Sequence, residues 1–285
     1  MLFCTAAMTI LGSSFAVTKL ILGYPMFTGQ LLRYALAAVI LSALVRPGNR
    51  PTLRQLGRLA LLSATGLVGF NICVLSAVRA GDPPLVGTIV GAAPLALALV
   101  GPIAARRRPG IRLVLAAAVV VGGVALVEGG GHASAAGVAW AGGALVGEVL
   151  FSVLAAPLLE RLGAVRVSAW ACALAVPQLG VAVLVTGERW RMPSATEGAV
   201  LLYIAVVLTV GAFLLWYTGL RRLGVARGGM FTGLIPVATL AATAALDGRL
   251  PGLVPLIGTV VVGLGLVGGY AEGWWSRSAA RTRSA

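Results

Sequence analysis

The sequence predicts an all-α integral membrane protein with ten transmembrane helices in two inverted five-helix repeats. Three observations carry that expectation. Apolar residues make up 59% of the 285-residue chain and charged residues 11%, against about 25% charged in an ordinary soluble domain. The apolar residues gather into ten runs of about 20 residues, the length that crosses a bilayer. Two segments also repeat each other without a gap at an offset of 142 residues. The offset pairs Gly69 with Gly211, Arg79 with Arg221, Gly87 with Gly229, Gly91 with Gly233, Pro94 with Pro236, Pro109 with Pro251, Gly110 with Gly252 and Gly123 with Gly265. Each repeat carries five runs, an odd number, so the second half must enter the membrane from the opposite side.

In chain order the runs predict helices near 2–22, 27–45, 56–78, 83–105, 111–128, 135–157, 165–186, 198–220, 225–246 and 251–271. The two halves are expected at 1–130 and 131–271, with a basic tail over 272–285. The first run has no basic segment ahead of it and no Ala-x-Ala site behind it, so it reads as an uncleaved span. Gly87-xxx-Gly91 and Gly229-xxx-Gly233 recur in register, each followed by a proline (Pro94, Pro236). They predict closely packed, bendable helices in the fourth and ninth runs. Only 46–54 and 187–197 are long enough to form loops with any body, so no soluble domain is expected.

A formal charge of +14 could suggest nucleic acid, but its distribution argues against that. Of the 22 basic residues, 16 follow the even-numbered runs: Arg46 to Arg58, Arg106 to Arg112, Arg161 and Arg166, Arg221 to Arg227, and Arg277 to Arg283. The opposite side receives Lys19, Arg79, Arg189, Arg191 and Arg249, accompanied by Asp82, Glu128, Glu188, Glu197 and Asp247. By the positive-inside rule both termini are cytoplasmic, in a bacterial-type inner membrane. No basic run carries interleaved aromatics or a reader motif, so no nucleic-acid partner is expected.

Cys4, Cys73 and Cys172 lie within apolar runs without CxxC spacing, and His132, the single histidine, falls in the glycine-rich turn after Glu128. No nucleophile–histidine–carboxylate set, phosphate loop or metal-ligand cluster can be assembled, so no catalytic residue, metal or cofactor is expected.

The polar content of the runs remains, where a charge at the bilayer centre costs at least about 2.5–3.5 kcal/mol unless it faces a cavity or partner. Glu148 stands out, about 13 residues from one end of its run and about 9 from the other, out of side-chain reach of either water phase. Its neighbours Gly142-Gly143-Ala144-Leu145-Val146-Gly147 are small and admit close approach. Either it lines a cavity, binding a cationic group or cycling a proton, or it is structural and neutralised by a partner such as Arg33. Arg33, about six residues into its run, either snorkels or meets an acidic substrate group or Glu148. Asn71 and Gln178 fall at similar depth on runs of opposite repeats, as a shared midplane site or as separate interhelical hydrogen bonds. Tyr34, Trp170, Trp216 and Tyr217 either pack the core or wall a cavity, whereas Trp190, Trp274 and Trp275 read as interface-belt residues.

These motifs resemble a known family. Leu11-Gly12-Ser13-Ser14-Phe15-Ala16-Val17-Thr18-Lys19 is similar to the start of the EamA-like branch of the drug/metabolite transporter superfamily. Leu32-Arg33-Tyr34 resembles its Leu-Arg-Phe, and Leu215 to Gly224 followed by Pro236 resembles its eighth-to-ninth-span signature. The resemblance implies export of small metabolites or amino acids by alternating access through a central cavity, lined chiefly by the first four helices of each half. Candidate substrate-binding residues are Glu148, Arg33, Asn71, Gln178, Tyr34, Trp216 and Tyr217, with the bilayer, a small molecule and possible proton coupling as partners. Glu148 departs from the family, whose sixth span usually carries an aromatic there. The alternative reading is a non-transporting scaffold or small-molecule-binding membrane protein. The charge split predicts that 106–112 and the tail are cytoplasmic while 187–197 faces outward. An impermeant thiol reagent on intact cells should therefore label Glu188→Cys and spare Arg108→Cys; the reverse pattern inverts the topology.

Overall fold

In hydrocarbon no water satisfies the backbone, so a spanning chain is driven to bond each N–H to its own carbonyls as helix. The computed structural model describes residues 1–21, 23–48, 50–129, 131–248 and 250–281, by backbone alone at 15, 16, 18, 19, 247 and 270–281. The described residues are helical with short connections and no strand, beyond an isolated bridge between Gly81 and Ala133. The helices are α1 (Leu2–Thr18), α2 (Met26–Leu44), α3 (Leu53–Ala80), α4 (Pro83–Ala104), α5 (Ile111–Glu128), α6 (Ala135–Thr186), α7 (Ala195–Leu223), α8 (Val225–Leu246) and α9 (Leu253–Arg281). The seven from α2 to α8 are long and apolar enough to cross a membrane, and Leu2–Ser14 and Leu253–Gly269 are shorter apolar helices.

α6 has 52 residues, about 78 Å at about 1.5 Å per residue and more than twice the bilayer core. It breaks at Gly163, with φ 75° and ψ 168°, a conformation that glycine adopts at no steric cost. Two arms result, 135–162 and 164–186. The sequence suggested a loop across 158–164 because Glu160 and Arg161 interrupt the apolar run. Charge at a helix end breaks no hydrogen bond, and the turn needs one residue.

The helix starts differ from expectation for a related reason. α3 and α7 begin three residues early, behind reciprocal capping boxes of Thr52 with Gln55 and Ser194 with Glu197. Polar capping residues end a hydropathy run while beginning a helix. α9 continues through 272–281, part of the expected tail, because that segment holds no proline; Arg249 and Arg283 lie outside the described residues.

The 142-residue repeat reappears as geometry. The two capping boxes stand 142 apart, and so do the helix starts Leu53 and Ala195, Pro83 and Val225, and Ile111 and Leu253. α3 and α7 both widen into π-helix, at Ser63–Gly69 and Ile204–Gly211. α5 and α9 pack extensively on each other, and they meet reciprocally. A Cβ on Gly123 would lie 2.7 Å from Val262 N, and one on Gly265, its equivalent, would lie 2.9 Å from the N of Val120, the equivalent of Val262. Residue i touching j′ while i′ touches j is the mark of a twofold relation between two surfaces.

This crossing should not tolerate a side chain at its glycines. Gly123→Ala is expected to lower stability by about 1–3 kcal/mol, whereas Gly122→Ala, whose Cβ meets nothing within 4 Å, should be near neutral. Thermal unfolding of the two variants in detergent checks the difference.

Candidate functional site

The first arm of α6 lies against the π segment of α3 through small residues. A Cβ on Gly147 would meet Thr65 O at 2.9 Å, one on Gly143 would meet Cys73 Sγ at 2.9 Å, and one on Gly66 would meet Phe151 Cβ at 2.7 Å. Such close packing fixes the register of the arm and with it the position of Glu148, which is half-buried. Among the described residues no hydrogen bond or ion pair reaches its carboxylate; the ion pair they show is Arg191 with Glu197.

Beside Glu148 stands an aromatic group drawn from α6 and α7. Phe151 stacks on Tyr217, with centroids 5.2 Å apart and planes at 29°, and Phe213 lies 5.2 Å from Phe151 and 6.1 Å from Tyr217. Tyr217 is fully buried and its hydroxyl has no hydrogen-bond partner; the same holds for the Ser152 hydroxyl, one turn beyond Glu148. A buried polar group without a partner is disfavoured by about 1–3 kcal/mol; among the described residues Ser63 Oγ, Ser168 Oγ and Gln178 Oε1 share that condition, and what sets Ser152 and Tyr217 apart is that they stand near an unpaired carboxylate. Tyr217 is within electrostatic range of Glu148, Cys172 and Tyr34. Tyr34 is within electrostatic range of Arg33, Cys172 and Asn71. α2, α3, both arms of α6 and α7 therefore contribute to one polar and aromatic cluster spanning both halves of the chain.

The structure sorts the sequence candidates. Glu148, Tyr34, Asn71 and Tyr217 come together. Arg33 stands at the margin and is not paired with Glu148: its Nε donates to Thr209 Oγ1 at 2.6 Å, an Nη donates to Gln30 at 3.2 Å, and its guanidinium lies 5.1 Å from the Tyr34 ring centroid. Asn71 and Gln178 do not share a level. Asn71 Nδ2 donates to Leu67 O at 2.6 Å, while Gln178 Nε2 donates to Ala60 O at 3.3 Å, seven residues and about 10 Å earlier on α3. Trp216 is buried in the main apolar cluster, and Trp170, 37% exposed, leaves the core altogether.

Phe151, Phe213, Cys172 and Thr209 escaped the sequence reading. Phe213 and Tyr217 stand four apart on one helical face, a spacing that was legible. Thr209 was not, because a hydroxyl in an apolar run is unremarkable until its helix widens: it donates to Ile204 O, five residues back, at 2.9 Å.

A bundle of apolar helices made from two copies of one unit, with polar groups buried between the copies, is the construction of a membrane transporter. The chain belongs to the EamA-like transporter family, whose model matches residues 1–129 and residues 133–269, once per half. It is similar to the uncharacterized transporter YetK of Bacillus subtilis (strain 168), 27% identical over 82% of this chain and 76% of that protein. It is also similar to the uncharacterized transporter YdeK of the same organism, 28% identical over 72% and 73% of the two chains. A crystal structure of a further protein shares the fold at a TM-score of 0.82 and 18% identity, over 95% of this chain and 96% of that one. The chain is accordingly a multi-pass membrane transporter and not an enzyme.

If the Tyr217 hydroxyl serves a ligand and not the fold, Tyr217→Phe should leave stability unchanged or raise it, because it removes an unpartnered polar atom and keeps the ring stack. A lower unfolding temperature in detergent contradicts this assignment.

Proposed function

We propose that the protein is a secondary transporter that exports a small metabolite or amino acid by alternating access, with Glu148 as the group that engages the cargo. The bilayer is crossed ten times: the arms of α6 cross separately, and α1 and α9 add the two shorter spans. Residues 1–130 and 131–271 form inverted halves, an arrangement that in secondary transporters puts the substrate at the interface near the midplane. Both termini and the tail over 272–285 face the cytoplasm of a bacterial inner membrane, as the distribution of arginine supports.

The observation that carries this reading is the carboxylate of Glu148 between halves, which among the described residues has no hydrogen bond or ion pair and stands near two unpartnered hydroxyls. A carboxylate at this depth that served structure alone would have a partner, as ionisable groups within spans ordinarily do. This one is free to receive a substrate ammonium or to carry a coupling proton. Tyr34, Asn71 and Tyr217 supply the remaining polar surface, while Arg33 closes its margin as the group that would meet an acidic substrate group. Gln178 and Trp216 hold the frame around it.

Ligands that raise the unfolding temperature of the purified protein identify the cargo. Glu148→Gln keeps shape and removes charge. The variant should insert and fold as the parent does, yet lose concentrative uptake of that cargo into inverted vesicles, or lose the pH dependence of uptake. Parental flux and pH profile in the folded variant sink the assignment of Glu148.

A further inference from the structure

α2 begins behind Pro25, which has no side-chain acceptor to offer the orphan N–H groups of the first turn. Those donors are satisfied from the other half of the chain. Glu188 accepts from Phe27 N at 3.1 Å, and from Thr28 N and Thr28 Oγ1 at 2.9 and 3.1 Å. A carboxylate there also meets the positive end of the helix dipole. Three residues on, Tyr24 donates its hydroxyl to Arg191 O at 2.9 Å. The Arg191 guanidinium sits 4.7 Å from the Tyr24 ring centroid and donates to Gly23 O at 3.4 Å and to Glu197 at 2.8 Å. One short loop is thus clasped to the start of a helix more than 160 residues away in sequence.

The equivalent positions meet as well. Adding 142 to Tyr24 gives Arg166, and subtracting it from Glu188 gives Arg46. Arg166 donates to Arg46 O at 2.6 Å and lies against Gly48. Each contact bridges the two halves, and α2 with the second arm of α6 runs between them. They differ in strength. The first joins charged and aromatic side chains with a capped helix end; the second, among the described residues, rests on one side chain and a carbonyl.

We propose that these contacts are the two gates of the transport cycle, resting on the transport reading above: the Tyr24–Glu188–Arg191 clasp closes one face and the Arg166–Arg46 contact closes the other; both are formed in this structure, and each parts in its turn as the halves rock. Inverted halves make this economical, since equivalent residues at opposite faces exchange environments when the halves rock against each other. A strong clasp facing a weak contact also biases the resting protein toward opening on the Arg166 side.

The test uses two thiols at equivalent depths behind the gates: native Cys172, and Gln30→Cys, 142 residues earlier. Detergent-purified protein carrying Gln30→Cys is pulsed with N-ethylmaleimide, and each site is read by peptide mass spectrometry. Glu188→Ala should raise alkylation of the Gln30→Cys thiol about ten-fold, the change that about 1.4 kcal/mol produces, and should lower that of Cys172. Arg166→Ala should do the reverse. Both thiols rising together would mean general loosening, and neither changing would mean an inert contact; either result overturns the gates. Flux in the same variants separates the two readings. Reciprocal labelling with no cargo moved keeps the gates and removes the transporter, whereas flux without reciprocal labelling keeps the transporter and removes the gates.

Discussion

Satisfying the backbone without water is the constraint on which this structure depends. It leaves the chain few places to depart from an α-helix, and the departures come in pairs. The π segments Ser63–Gly69 and Ile204–Gly211 are one pair. The bend at Gly91 and Ala92 and the 3-10 turn Met230–Gly233 are another. A helix widened to π form loosens its hydrogen bonds and presents carbonyls and side chains at new angles, which is why such segments gather at functional sites. Both π segments here touch the central cluster: one receives Phe151 against Gly66, and the other offers Thr209 to Arg33. The paired irregularities belong to the inherited unit, and each unit places its own against the other half.

The frame is symmetric and its chemistry is not. Counting back 142 residues from Glu148 reaches Ala6, and from Tyr217 reaches Leu75; counting forward from Tyr34 reaches Val176, and from Asn71 reaches Phe213. None of these four is matched by a polar residue in the other half, whereas Cys172 is matched by Gln30. Duplication supplied the crossings, caps and glycine contacts, which serve stability equally in both copies. On the proposed transport reading, a single cargo at a twofold interface would contact both halves at once, so each could specialise, one toward Tyr34 and Asn71 and the other toward Glu148, Cys172 and Tyr217.

Sequence legibility follows the same division. The spans were legible because twenty apolar residues have few alternatives, and the repeat because glycine and proline mark backbone positions that tolerate little else. The early starts of α3 and α7 hid behind Thr52 and Ser194, whose polarity suggests a loop while their hydroxyls start a helix. The continuous α6 hid behind Glu160 and Arg161. Within the site, Glu148 was conspicuous as a charge in the core of a run, and Tyr34, Asn71 and Tyr217 as polar groups near it. Cys172 and Thr209 were not, because neither residue type is costly in an apolar helix, and their role arises from neighbours that hydropathy does not name. Depth counted along a helix also placed Gln178 beside Asn71, whereas their acceptors, Ala60 and Leu67, stand seven residues apart on α3.

α2 joins these parts mechanically. Phe27 and Thr28 lie in the clasp, Gln30 and Arg33 form the next turn, and Tyr34 reaches the cluster, all within eight residues and about 11 Å of one helix. Over that length an α-helix moves as a rod, because bending it would break hydrogen bonds that nothing in lipid replaces. Parting Glu188 from the helix start must therefore shift Arg33 against Thr209 and Tyr34 against Asn71, in the same direction and at the same time. Conversely, on the proposed reading a cargo that drew Tyr34 or Arg33 toward Glu148 would pull on the clasp. No separate relay is required between site and face: the rigidity that the bilayer imposes on the backbone carries the coupling.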